Sequence, residues 1–296
     1  MVLKICRIKG VDFSINNWFI ALIGVYFVAG VLDKGLVAFV VVLMHELSHA
    51  LVARRLNFEV SSVELLPFGG VARMSNKLPL EPQKEIKVAA AGPLTNLALV
   101  FVAIGFGHYG LWHDVLGAFF IQCNIILFLF NLLPGLPLDG GRVLRAYLAR
   151  RMSLPVATCR MAMLGQLWGI LIIALGTVGV LYHVNGLDLV ATGFFVFYAA
   201  RSEKLEAPYL YAQYLMAKQN ELIRRECLPG EILVVLDTVA AWKVTRMFAP
   251  QRYHFIYLVN REGSYVGTLD EREVVQAVLR CGTDVSLGQV KKDLSG

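Results

Sequence analysis

The sequence predicts an α-helical polytopic membrane protein of about six spans, with a small membrane-associated β-hairpin, followed by a small α/β domain. Three observations carry this. Of the 296 residues, 57% are hydrophobic and the mean hydropathy is +0.60, outside the range of an ordinary soluble domain. Apolar runs recur at close to the roughly 20 residues that an α-helix needs to cross lipid. Charged residues, 17% of the whole, are sparse until about Arg201 and frequent after it.

In chain order, apolar runs at 15–32, 36–53, 86–107, 114–133, 161–182 and 187–200 are the predicted spans, the last of them short. The basic start followed by an apolar run resembles a signal peptide. Asp12, Asn16 and Asn17 interrupt it and no small-residue cleavage site follows, so it reads as a retained first span. Between the second and third spans, "FEVSSVELLPFGGVARM" alternates polar and apolar residues around a Gly-Gly pair. That pattern predicts a short β-hairpin at the membrane surface. These elements make up a membrane domain over 1–205. A Tyr-rich, basic helical stretch over 206–229 reads as an interfacial linker, and "LPGE" marks its end. The tail, 230–296, alternates helix and strand: "TVAAWKVTRMFA" as helix, "HFIYLV" and "YVGTL" as strands around the turn "REGS", then "DEREVVQAVLRCG" as helix.

Lys and Arg cluster before span one, between spans two and three, and between spans four and five. "GHYGLWHD" and "YHVNGLD" carry none. By the positive-inside rule both termini are expected on the cytoplasmic side. The net charge of +6 has the same origin, and no nucleic-acid motif accompanies it. Cys6, Cys123, Cys159, Cys227 and Cys281 are scattered without C-x-x-C pairing, so they are read as reduced structural thiols.

The informative anomaly is "HELSH" inside span two. His45 and His49, four apart on a helix, share a face and can present both imidazoles to one zinc ion, with Glu46 beside them as general base. Ionisable groups within lipid cost roughly 2.5–3.5 kcal/mol each on the lenient insertion scale, and three fall here in one turn. The blander alternative is that Arg54 and Arg55 put this turn at the interface, where the histidines hydrate. A catalytic zinc also needs a third protein ligand. His108, His113 and His183 belong to the opposite side by the predicted topology. Asp139, in "NLLPGLPLDGGRVL", returns to the same side, in a Pro- and Gly-rich segment expected to unwind. Non-helical backbone at that depth is tolerated only inside protein or beside a watery cavity. Asn124 and Asn131 share a face of span four and Asn96 lies on span three, so all three should point into the bundle. Asn124 and Asn131 are either substrate or oxyanion contacts or interhelical glue. Asn96 reads as glue, among the small residues Ala89, Ala90, Ala91 and Gly92 that permit close packing.

"HELSH", "AGPLTN" and "NLLPGLPLDGG", in that order, resemble the site-2 protease family of intramembrane zinc metalloproteases. The "PFGGV" hairpin, the absence of a PDZ insertion and the cytoplasmic tail make the chain most similar to the sporulation branch, the stage IV sporulation protein FB type. The resemblance covers about residues 1–205. It implies one zinc ion held by His45, His49 and Asp139, with Glu46 as catalytic acid/base. It also implies a membrane-associated substrate such as a sigma-factor precursor, inhibitory membrane partners, and a bacterial membrane such as the one around the forespore. The substrate must unwind to be cut. Adding it as a strand to the hairpin, with Phe68, Gly69 and Gly70 at its turn, would hold it extended. The tail resembles a single CBS module, a type that pairs and binds adenine nucleotides, which implies a nucleotide at Gly267, Asp270 and Glu273 and a homo-oligomer through CBS pairing. In "GTLDERE", however, Asp270 stands where a hydroxyl is expected, and Asp270 with Glu273 also fits a capping box for the last long helix. A CBS-regulated transporter or channel is the competing reading. It is favoured by repeated halves, and no internal repeat is visible. A catalytically dead scaffold would not need the intact set of ligands and base.

Overall fold

The computed structural model describes residues 2–8, 11–16, 23–24, 26–58, 60–66, 69–74, 78, 81–110, 114–183, 186–225, 227–245, 247–248, 252–281 and 285–295. Two compact units emerge, one of 1–144 and 161–201, the other of 145–160 and 202–296.

The first unit opens with β1 (Val2–Ile8) and β2 (Val11–Asn16), an antiparallel pair. The sequence analysis started a span at residue 15 instead. "VDFSIN" alternates apolar and polar residues with period two, and that pattern sets the strand. Of the rest of the expected first span, 23–24 and 26–28 are helical and 29–30 a turn, while 17–22 and 25 lie outside the described residues. The expected hairpin forms as β3 (Val60–Leu66) and β4 (Gly69–Met74), paired antiparallel from Val60↔Met74 to Leu66↔Gly69. It belongs to a larger sheet of order β1-β2-β3-β4, in which β2 runs parallel to β3.

Among the described residues, four helices are long and apolar enough to cross a membrane: α1 (Leu32–Arg55), α2 (Pro82–His108), α3 (Asp114–Leu132) and α5 (Leu154–Leu181). They make the chain a multi-pass membrane protein. Their surfaces invert the soluble pattern. On α2, Leu94, Phe101 and Ile104 point outward, while Ala89, Gly92, Asn96 and Val100 are buried. The run 187–200, expected as a further span, begins α6 (Leu187–Arg225), a single helix that continues through the predicted interfacial stretch. Asp188 and Arg201 bound its uncharged portion, which is why it falls short of the other four.

Between α3 and α4 (Asp139–Leu148) the chain unwinds over 133–138 as the prolines and glycines predict. Its backbone is satisfied by α5 and by itself. Leu136 N–H donates to Met161 O at 3.0 Å, Trp168 Nε1 donates to Pro134 O at 3.0 Å, and Leu138 N–H donates to Gly135 O at 3.0 Å. This contact requires Gly165, because a Cβ there would overlap the Leu136 carbonyl.

In the second unit, β5 (Gly230–Leu236), β6 (Tyr253–Val259) and β7 (Tyr265–Asp270) make a mixed sheet, β5 parallel and β7 antiparallel to β6. Helices α7 (Ala241–Thr245), α8 (Glu271–Cys281) and α9 (Leu287–Ser295) accompany it. Ile256, Leu258 and Leu269 face a core with Phe248, Val274 and Leu287. The opposite face leaves Ile232, Val234, Phe255 and Tyr257 exposed. Buried His254 stacks on Phe248 at 5.2 Å, and its Nδ1 is hydrogen-bonded to the Glu271 carboxylate.

Candidate metal centre

The site is built from three helices of the first unit. His45 and His49 occupy one face of α1, four residues apart, and are 3% and 2% exposed. Asp139, 5% exposed, is the first residue of α4, where the unwound segment re-enters helix. Its Oδ2 lies 3.1 Å from Nε2 of each histidine, and the two Nε2 atoms are 3.2 Å apart. The three ligand-capable atoms therefore converge on one point, a grouping able to hold a metal ion.

The outer nitrogens of the two rings fix what the inner ones offer. His49 Nδ1 lies 2.7 Å from Val88 O. A carbonyl only accepts, so that nitrogen carries the hydrogen and Nε2 presents a lone pair. His45 Nδ1 lies 2.8 Å from Asn96 Oδ1 and donates to it in the same way. Three lone-pair donors then face one another in a buried place, an arrangement whose repulsion a proton or a metal ion between them relieves. Zinc fits this donor set. Tetrahedral donors at roughly 2.0–2.1 Å from the ion stand about 3.3 Å from one another, close to the separations seen here.

Helix α2 supports both rings from a single stripe, Val88, Gly92 and Asn96, each four residues from the next. Pro93 has no N–H to donate to Ala89 O, so the helix lacks one bond beside Val88. Gly92 lets the backbone approach, since a Cβ there would sit 2.6 Å from His45 Nε2 and would also run into His49. Gly92 and Asn96, expected as packing residues, thus touch or support the ligand rings, as does Val88, which no side-chain chemistry singles out. The available signal was the 88/92/96 spacing on a Pro-containing span, opposite a histidine pair with the same spacing.

Glu46 follows His45 on α1 and is partly buried. Among the described residues its carboxylate makes no hydrogen bond, and the charged or ionisable groups in electrostatic reach are His45, His49, Arg142 and Asp139. Asn124 and Asn131 on α3 each return their Nδ2 to their own helix, to Phe120 O at 2.9 Å and to Leu127 O at 3.1 Å. Asn124 is fully buried and, among the described residues, its Oδ1 has no partner; Asn131 is partly exposed. Gly69 and Gly70 open β4, while Phe68 lies outside the described residues.

In the tail, Asp270 and Glu273 form the reciprocal capping box. Asp270 N–H donates to Glu273 Oε2 at 2.8 Å, and Glu273 N–H donates to Asp270 Oδ1 at 2.7 Å. Asp270 Oδ2 also accepts from the Tyr253 hydroxyl at 3.1 Å. The Lys291 side chain lies over Gly267. Each residue considered for a nucleotide thus has a structural partner.

The family model of Peptidase family M50 matches residues 35–119 and 108–175, which contain all of the converging ligands. Rip3 of Mycobacterium tuberculosis is 33% identical over 259 residues, covering 84% of this chain and 64% of its own length. Zinc metalloprotease MJ0392 of Methanocaldococcus jannaschii is 28% identical, over 68% of this chain and 60% of its own. The chain thus spans less than two thirds of these relatives' length. Stage IV sporulation protein FB of Bacillus subtilis is 28% identical over 88% of both chains. Its identity is lower than that of Rip3, so the sporulation branch is not singled out as expected. Among solved structures, the site-2 protease of Methanocaldococcus jannaschii superposes with a TM-score of 0.55 at 26% identity, over 69% of this chain and 95% of its own. Motifs, converging ligands and these matches agree: the chain belongs to the site-2 protease family of intramembrane zinc metalloproteases, Peptidase family M50.

Proposed function

We propose that the chain hydrolyses a peptide bond in or near the membrane-associated segment of a protein substrate, with His45, His49 and Asp139 as zinc ligands and Glu46 as the acid/base. The observation that carries this reading is the convergence of two Nε2 lone pairs and one carboxylate oxygen within a turn of Glu46. Zinc bound there supplies Lewis acidity at the scissile carbonyl and acidifies water. Glu46 takes the proton from the attacking water and delivers it to the leaving amine. Among the described residues its carboxylate makes no hydrogen bond, which leaves both oxygens available.

A helical peptide bond cannot be attacked, so the substrate must be drawn out. Strand β4 suits this task. Among the described residues it pairs only with β3, leaving its other edge for a substrate strand, and it lies against α1, which carries Glu46. Asn131, partly exposed, is the better substrate contact, whereas Asn124 is sealed and donates to its own helix. The basic segments between spans favour a cytoplasmic active site and cytoplasmic termini. A regulatory precursor such as a sigma-factor pro-sequence, held in check by inhibitory membrane proteins in a sporulating bacterium, follows only from likeness to stage IV sporulation protein FB. In the tail, Asp270 and Glu273 cap α8 rather than hold an adenine nucleotide. The exposed apolar sheet face suits pairing of two tails.

Purified chain and a membrane-tethered precursor test the assignment. Glu46→Gln should abolish cleavage and keep zinc. Full activity in that variant would remove Glu46 from the mechanism.

A further inference from the structure

Asn96 is fully buried in the first unit, and its two polar atoms are treated unequally. Oδ1 takes the hydrogen of His45 Nδ1 at 2.8 Å, while Nδ2 has no partner among the described residues. A buried amide that served only to fill the bundle should spend its donors on helix carbonyls, which keep a spare lone pair, as the Nδ2 groups of Asn124 and Asn131 do. Here the donors are left over and the oxygen is the atom in use. We propose that Asn96 is a positioning residue: its oxygen locks His45 in the tautomer with hydrogen on Nδ1, and so aims the Nε2 lone pair at the metal.

The chemistry asks for this residue type. His45 needs an acceptor at Nδ1 that is rigid and uncharged, because a carboxylate would add a further negative charge beside Asp139 in a low-dielectric place. The two rings also differ in support. His49 leans on the backbone carbonyl of Val88, which no side-chain substitution removes, whereas His45 depends on one side chain. Asn96 lies two turns from Val88 on the same stripe of α2, so one helix sets both tautomers.

This inference rests on the metalloprotease reading, and the experiment separates the two. Full chain in detergent is loaded with zinc or cobalt. Asn96→Leu should weaken zinc roughly 10- to 100-fold in chelator competition, alter the visible cobalt spectrum and lower kcat with little change in KM, while the metal-free chain unfolds at its wild-type temperature or above. Asn96→Asp, which keeps an acceptor oxygen but adds a charge, should recover part of the zinc affinity lost in Asn96→Leu without reaching the wild-type cobalt spectrum. Wild-type affinity and spectrum in Asn96→Leu would make Asn96 a packing residue and overturn the proposal. Should that variant fail to fold, nitrogen NMR of histidine-labelled, metal-free wild type decides: His45 with a hydrogen on Nδ1 is expected, and a bare Nδ1 overturns it. A wild-type chain that binds neither metal overturns the metalloprotease reading, and this one with it.

Discussion

Replacing Gly92 by Ala adds one methyl group where two ligand rings meet the α2 backbone. The new Cβ would lie 2.6 Å from His45 Nε2 and 2.5 Å from His45 Cε1, against the 3.4 Å at which ordinary contact begins. The ring must therefore retreat by roughly 0.8 Å, several times the ±0.2 Å tolerance of a ligand bond. It has little room to do so. Nδ1 is tied to Asn96, and the Nε2 of His49, tied to Val88, faces it at 3.2 Å. Two effects on folding oppose each other, a helix-propensity gain of about 1 kcal/mol and an overpacking cost of about 1–3 kcal/mol. Stability should change little. Zinc affinity should fall about 100-fold, equivalent to ~2.8 kcal/mol. Chelator competition on purified chain in detergent reads this directly. Gly105→Ala on the same helix is the control, since a Cβ there meets nothing within 4 Å. Wild-type zinc affinity in Gly92→Ala would refute the claim that α2 is pressed against the ligand rings.

Gly165→Ala should lower the thermal midpoint in detergent by an amount equivalent to about 1–3 kcal/mol and weaken zinc, because its Cβ overlaps the Leu136 carbonyl three residues before Asp139; unchanged melting and zinc content would contradict it. Asp270→Ala removes the N-cap of α8 and should cost about 1 kcal/mol, seen as faster amide hydrogen exchange in α8; unaltered exchange there would deny the cap any energetic role. The Tyr253 hydroxyl is pushed up to about 12 by burial first and the Asp270 carboxylate second. The folded chain then keeps a proton that the unfolded chain releases near pH 10, so this contribution is intact below pH 10 and lost as pH rises toward 12. Tyr253→Phe should flatten the fall in stability over that window, and an unchanged alkaline slope would count against the coupling.

The ligands could be read from the sequence because they break its local rule. His45, Glu46 and His49 stand out in an apolar run, and Asp139 follows directly on a Pro- and Gly-rich break between helices. Strands β1 and β2 were missed for the opposite reason. Their alternation is short and merges into an apolar run, and β2 needs its pairing with β3, some fifty residues on, to be recognised as sheet. The extent of α6 was misjudged because hydropathy marks where lipid-compatible residues end, whereas a helix continues wherever its backbone bonds remain satisfied.

What supports the ligands is less visible for a chemical reason. Val88 contributes a main-chain carbonyl and Gly92 the absence of a side chain, and neither contribution depends on a distinctive side-chain chemistry. Asn96 does carry a functional group, but an amide in an apolar span is equally good as glue, so only its unequal bonding separates the two roles. The three still share a logic. Lipid offers no water to hydrate an imidazole N–H, so each ring hydrogen must find an acceptor inside the bundle. Once α2 provides those acceptors the Nε2 atoms turn toward Asp139, and a metal ion or a proton between them relieves their mutual repulsion. The same absence of water that makes three ionisable groups costly in a span therefore prearranges them to bind metal.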